Sequence, residues 1–361
     1  MSKENYYLFV GPDPKYRNDF HPGGQMTAAI GIKSYFEEKK INLKIINSLQ
    51  SPFELPSIKD RILKALKRII NLIFHLKRQH LRGVIIFSAC GLSFFEKSIM
   101  ALLCRLFDKQ SIICIRSGFF IKQYESKFFY KFFYRILLKL PKLYGVQGTS
   151  WVDFLNSAGV QKSKIKVIRN WVLSYESTNN FKVIKRNQVN FLFVGWLTIQ
   201  KGILDLIEAY SSSKILLESK LYIAGSGDLK THLESLKKKN TLNNVELLGW
   251  LNKSSIGDLM SKTDVLVFTS YAEGFPNVIA EGLWKSLPII SSNVGGIPDS
   301  VIPGYNGFLF EPGDVKTLRV LMEKIITEKD LMKSFSKNSL TVAKKNHSLI
   351  KNCDILLKAI S

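Results

Sequence analysis

Short, bare apolar runs recur at regular intervals through this chain, and this rhythm limits its folds more than any other feature. In the second half they are FLFVG (191–195), LYIAG (221–225), VELLG (245–249) and VLVF (265–268), with helical stretches opening at Gly202, Asp228 and Lys253 between them. Runs without polar alternation mark strands buried on both faces. Strand signals in the first half fall at 6–10, 43–47, 84–88, 111–115, 144–147 and 166–168. There Gly23-Gly24 opens a helix reaching about Lys40, and a long basic helix spans roughly 57–80. Buried strands alternating with helices give parallel α/β sheets, and right-handed crossovers make each half doubly wound. A chain of 361 residues exceeds one ordinary core, so two Rossmann-like domains facing a central cleft are expected. Residues 1–172 form the first and 190–338 the second, and the polar, aperiodic stretch 173–189 is the linker. Residues 339–361 read as a C-terminal helix that crosses back to brace the first domain.

The composition, 46% hydrophobic and 22% charged, is that of a soluble globular protein. The start, MSKENYYLFVGPDP, reads as a first strand rather than a signal peptide, and charges break every apolar stretch well before the length of a membrane span. Cys90, Cys104, Cys114 and Cys353 share no metal-ligand or redox spacing and read as buried thiols in a reducing cytoplasm. Charge is distributed unevenly. Residues 1–170 hold 29 Lys+Arg against 11 Asp+Glu, while the remainder holds 23 against 18, so the net +23 sits mostly in the first domain. Such a basic half suits a large anionic surface.

The segment 264–314 carries the chemistry. Glu273 and Glu281 stand on either side of Gly274-Phe275-Pro276. Val265–Phe268 is a buried strand and Pro276 suits the first turn of a helix, so Glu273 lies in the loop at the strand's carboxyl end. Glu281 then sits about a turn and a half up the helix. Ligands bind in that crevice of an open parallel sheet. The N–H groups of Phe275, Asn277 and Val278 are expected to face the same space, ready for an anion or a sugar hydroxyl. Upstream, Gly195 ends a strand, and Lys201 with Gly202 starts a helix where a cation can hold a diphosphate. IAGSGD, with Gly225, is a glycine-rich strand-to-helix turn that suits close approach by a nucleotide. Gly23-Gly24 is the matching turn in the first domain.

Together these residues resemble the retaining glycosyltransferases of family 4 (glycosyltransferase group 1), which have the GT-B architecture. The likeness covers nearly the whole chain and is strongest over 190–318. Its specific part is EGFPNVIAEG (273–282), followed by LPIISSNVGGIPDSVIPGYNGFLFEPGD. The resemblance implies that Glu273 contacts the donor sugar, Glu281 binds the ribose, and the backbone from Gly274 through Phe275, Pro276 and Asn277 to Val278 meets sugar hydroxyls and phosphate. It also makes Lys201 the diphosphate-binding lysine, catalytic together with Glu273, and Gly24 the glycine that lets the first domain approach the donor phosphate. Two positions depart from the family. Trp196 stands where an arginine is usual, leaving Arg169, Arg116 or the basic loops to supply the charge, and Ser117-Gly118 replaces a histidine-glycine pair. His21, His75, His80, His232 and His347 lie elsewhere in the sequence, so no catalytic histidine is assigned.

No two aspartates stand two apart, so the Asp-x-Asp cation site of the other large glycosyltransferase architecture is absent. Neither a cofactor nor a metal is expected, and the leaving diphosphate is neutralised by Lys201 and helix N-termini. Two first-domain stretches, 61–82 and 122–142, interleave apolar and aromatic residues with lysine and arginine. They read either as helices packed on the sheet with solvated lysines or as faces lying on an anionic membrane surface. Nucleic acid is not an expected partner, because no recognisable motif for it occurs. The expected function is transfer of a sugar from a nucleotide-sugar donor to a lipid-linked glycan acceptor, on the cytoplasmic face of the cell membrane. A sugar-nucleotide epimerase or hydrolase on the same scaffold, or a non-catalytic binding protein, is the alternative.

Overall fold

The computed structural model describes residues 4–16, 23–49, 57–173, 188–238 and 244–361. The chain divides into two units, residues 1–173 together with 349–361, and residues 174–348. Most of the expected linker lies outside the described residues, but Val189 at its end is already buried in the second unit's core.

The first unit runs β1 (Tyr6–Gly11), α1 (Gly24–Glu38), β2 (Asn42–Asn47), α2 (Ile58–Leu76), β3 (Leu81–Ser88) and α3 (Leu92–Leu106). It continues with β4 (Gln110–Ile115), α4 (Phe119–Ser126), α5 (Phe128–Leu137), β5 (Leu143–Val146), α6 (Thr149–Ser157) and β6 (Ile165–Val167). Its sheet is parallel, in the order β2-β1-β3-β4-β5-β6. The chain therefore turns back between β1 and β3, and ligands bind at such a switch point in doubly wound sheets. One face of the sheet buries Leu8, Val84, Ile86 and Ile113 against α2, α3 and α6. The other buries Phe9, Ile85, Phe87 and Ile112 beneath α1 and the last helix of the chain.

The second unit runs β7 (Asn190–Val194), α7 (Ile203–Ser211), α8 (Lys214–Leu217), β8 (Lys220–Ala224), α9 (Lys230–Lys238) and β9 (Val245–Gly249). Next come α10 (Lys253–Lys262), β10 (Val265–Phe268), α11 (Asn277–Trp284), β11 (Ile289–Ser292), β12 (Gly307–Phe310), α12 (Val315–Thr327) and α13 (Lys329–Asn346). Its order is β12-β11-β10-β7-β8-β9, again all parallel. Counted within the unit this is 3-2-1-4-5-6 read from the far edge, the order of dinucleotide-binding sheets. The switch point lies between β7 and β10. Strands β11 and β12 are not among those the apolar rhythm gives. Each has four residues, and β11 ends in Ser291-Ser292 rather than in an apolar run.

One element differs from the sequence expectation. The single terminal helix expected over 339–361 is two, because α13 ends at Asn346 and α14 (Leu349–Ile360) follows. His347 caps α13 at the break. It is fully buried, its Nε2 lies 2.8 Å from the Ser300 hydroxyl, and its ring packs on Phe275. Helix α13 packs on α11, whereas α14 packs on α1, β3 and β4 of the first unit and buries Cys353, Leu356 and Ile360 there. Helix α2, expected either to pack on the sheet or to lie on a membrane surface, packs Leu72 and Leu76 into the core and leaves Ile62, Leu66, Ile70 and Phe74 exposed, with Arg68 buried.

Candidate functional site

The second unit's switch point is built from the loops that follow β7 and β10. After β7 the chain passes Gly195 and Trp196 and makes a single 3-10 turn, Ile199–Lys201. Gly202 then enters α7 at φ 62°, in the left-handed region, and a Cβ there would lie 2.1 Å from the Thr269 carbonyl oxygen. Only glycine fits. The two loops are hydrogen-bonded to each other: the Thr269 hydroxyl donates to the Lys201 carbonyl at 2.8 Å, and the Tyr271 N–H to the Gln200 carbonyl at 2.9 Å. These bonds fix the backbone that carries Lys201 against the backbone that carries Glu273. Their side chains meet, the Lys201 ammonium donating to Glu273 Oε1.

Beneath Glu273 lies the turn after β11. Gly295 has φ 57°, and a Cβ there would come within 2.2 Å of the Glu273 carbonyl oxygen. The Gly296 N–H donates to the Gly274 carbonyl at 2.8 Å. This Gly-Gly turn lets the backbone at Glu273 and Gly274 approach it closely. Phe275 points inward, 5% exposed, with its ring centroid 4.8 Å from that of His347. Pro276 is the N-cap of α11 rather than its first helical residue, so Asn277 and Val278 form the first turn. Glu281 follows one turn later. Burial pushes its carboxyl pKa above the ordinary 4.5, and Lys253 opposes that shift. The Lys253 ammonium lies 3.9 Å from Glu281 Oε1, carried there by α10, which Asn252 caps.

The remaining glycine turns are tied edge to edge along the sheet. The Gly195 N–H donates to the Ala224 carbonyl, and the Gly225 N–H to the Gly249 carbonyl. Trp196 and Trp250 stand above these turns, half-exposed, with ring centroids 5.7 Å apart. Gly195, Lys201, Gly225, Glu273 to Val278 and Glu281 all therefore stand at the carboxyl edge of one sheet. Gly23 and Gly24 belong to the first unit, where they open α1.

Arg116, a candidate for the charge missing at Trp196, is held inside the first unit. Its guanidinium stacks on Phe87 and Trp171 and donates to Asn170. Ser117 lies with its hydroxyl 3.7 Å from the Cys90 sulfur. Among the described residues no group of three or more His, Cys, Asp or Glu side chains is placed to hold a metal ion. Lys253, Trp250 and His347 were missed by sequence reasoning. Only Trp250 carried a local signal, since it follows a strand-ending glycine as Trp196 does.

Residues 175–342 match the model of the family Glycosyl transferases group 1. An uncharacterized glycosyltransferase of Methanocaldococcus jannaschii is 33% identical over 175 residues, covering 48% of this chain and 49% of that protein. The UDP-Gal:alpha-D-GlcNAc-diphosphoundecaprenol alpha-1,3-galactosyltransferase of Escherichia coli is 30% identical over 181 residues, covering 47% and 45%. The chain thus spans about half the length of the curated relatives it matches. HepE from Anabaena, solved with UDP, superposes over 98% of both chains with a TM-score of 0.72 at 16% identity. The two parallel-sheet units have the GT-B fold, and the stretch that matches the group 1 model falls in the second.

Proposed function

We propose that this chain is a retaining, metal-independent glycosyltransferase. It moves a sugar from a nucleotide diphosphate sugar to a hydroxyl of a lipid-linked oligosaccharide during bacterial surface-polysaccharide assembly (capsule or O-antigen). The observation that carries the reading is the Lys201–Glu273 pair at the switch point, with Glu281 one helical turn into α11. A cation beside the place where a diphosphate leaves is most effective in the transition state, when negative charge builds on the departing oxygen. The bond from the anomeric carbon to that oxygen breaks, the acceptor oxygen attaches on the same face, and the departing phosphate takes the acceptor's proton. Glu273 steadies the sugar and Glu281 holds the ribose. The relatives favour the same substrates: the name of the Escherichia coli protein contains a UDP-galactose donor and an undecaprenol diphosphate acceptor, and HepE was solved with UDP.

The protein rests peripherally on the cytoplasmic face of the cell membrane. No helix among the described residues is long and apolar enough to cross a membrane, but α5 exposes Phe128, Phe129 and Phe132 between Lys127, Lys131 and Arg135. Aromatic and basic side chains on one short helix suit an anionic bilayer surface.

The test is incubation with a panel of nucleotide sugars, with and without a lipid-linked acceptor. Released nucleotide is measured and the product's anomeric configuration read by NMR. Acceptor-dependent release with retention is expected, unchanged by a chelator. Release without acceptor would favour a hydrolase, and activity lost to chelation but restored by Mn²⁺ would refute metal independence.

A further inference from the structure

A cavity of about 860 Å³ lies at the first unit's own switch point, where the loops after β1 and β3 diverge. That is within the range of roughly 300–1,000 Å³ common for ligand pockets. Helix α2 supplies one apolar wall through Ile58, Ile62, Ala65, Leu66 and Ile69. Several of these also reach solvent, so the wall continues onto an exposed apolar face. Leu92 and Phe95 of α3 stand opposite.

At one place the lining is charged. Arg68 holds Glu96 through two parallel hydrogen bonds, Nε at 2.7 Å and Nη2 at 2.9 Å. Lys97 reaches the same carboxylate at 2.9 Å and is only 2% exposed. Burial lowers the Lys97 pKa, and Glu96 pulls it part of the way back. Two cations against one carboxylate leave a buried positive charge in excess, and buried charges are costly unless paired. An ammonium has three N–H donors, and among the described residues Lys97 contacts one acceptor, Glu96. Two donors remain beside an open cavity. Apolar walls leading to an unspent cation are complementary to a molecule with a hydrocarbon chain and an anionic end.

We propose that this cavity binds an amphiphile in which a phosphate ester terminates an apolar chain, with the phosphate at Lys97 and Arg68 and the chain along α2. This deepens the acceptor reading above and rests on it for its biological meaning, though binding itself can be measured without any sugar transfer. The probe is geranyl phosphate, a ten-carbon chain phosphate used below its aggregation concentration, titrated into the full chain by calorimetry. Geraniol and inorganic phosphate are the two control arms.

Saturable binding of geranyl phosphate is expected, with geraniol about tenfold weaker and inorganic phosphate showing no binding in the same range. Lys97→Met should weaken geranyl phosphate about tenfold and leave geraniol unchanged. Ala65→Trp fills the apolar wall without touching the charged cluster and should weaken both chain ligands. Circular dichroism confirms that each variant is folded. Equal affinity for geraniol and geranyl phosphate would overturn the proposal, as would full binding of geranyl phosphate by folded Ala65→Trp. Binding by inorganic phosphate alone would also overturn it, leaving only an anion site. UDP binding by the wild-type chain is measured separately. Loss of the donor reading and loss of the cavity proposal are therefore distinct outcomes.

Discussion

Replacing Glu273 with glutamine should tighten nucleoside diphosphate binding while it cripples sugar transfer. The Lys201 ammonium is engaged by the Glu273 carboxylate, whose side chain is 14% exposed against 25% for the lysine. A diphosphate arriving there must compete for the same cation and bring two anions close together. Like charges about 4 Å apart repel by about 4 kcal/mol at an effective dielectric of about 20. Partial exposure and retained water reduce that, so a net gain of about 1–2 kcal/mol is expected, or about 5- to 30-fold in affinity. Glutamine keeps the shape and one hydrogen-bonding oxygen but removes the charge. Calorimetric titration with UDP measures the first effect, and turnover of a UDP-sugar with acceptor measures the second. Opposite signs are the signature, because a purely structural defect would lower both. UDP affinity that is unchanged or weaker in folded Glu273→Gln would refute the view that Glu273 masks Lys201.

Lys201→Ala should lower transfer by about 100- to 1,000-fold, the loss typical when a charge-stabilising donor is removed, with an unchanged circular dichroism spectrum. Near-normal turnover would show that the leaving diphosphate is held elsewhere. Glu281→Gln should weaken UDP binding about tenfold, read by the same calorimetry. The variant should also change the pH dependence of stability. The folded pKa of Glu281 lies above its ordinary 4.5, so the folded state holds the proton more tightly and wild-type stability falls as pH rises from that value towards the folded pKa. Melting curves should show the wild type losing ground to Glu281→Gln over that window, and parallel curves would contradict the shift. Phe128→Ser combined with Phe132→Ser should reduce sedimentation with anionic vesicles, and binding by the wild type should fall with salt. Equal recovery of both proteins would place the membrane contact elsewhere.

Much of the sheet architecture could be read in the sequence because buried parallel strands advertise themselves locally. FLFVG, LYIAG and VLVF each need only a few residues to be recognised, and β7, β8 and β10 lie on them. Lys201 and Glu273 were legible for the same reason, each standing just after such a run. Their pairing was not, since it joins positions 72 apart through loops that clasp only once the sheet has formed. Lys253 beside Glu281, Trp250 beside Trp196 and His347 behind Phe275 are long-range in the same way. Helix α2 left two readings open for a different reason. Its isoleucines recur at helical spacing, but periodicity reports that a face exists and not which way it turns. In the fold Leu72 and Leu76 face the core, Arg68 pairs with Glu96 of α3, and the row at Ile62, Leu66 and Ile70 is exposed.

The crossing of α14 into the first unit sets an order for biosynthesis. The polypeptide leaves that unit at residue 173 and returns at 349, with the whole second unit between. Leu356 and Ile360, both fully buried, complete the face of the sheet opposite α2. A ribosome therefore delivers every strand of the first sheet early but withholds part of its covering until after the second unit has emerged. During that interval Phe9, Ile85 and Ile112 lack the cover of α14. The unit that begins to form first is completed only after the second has emerged, and until then it keeps part of an apolar sheet face open, the kind of surface that chaperones bind.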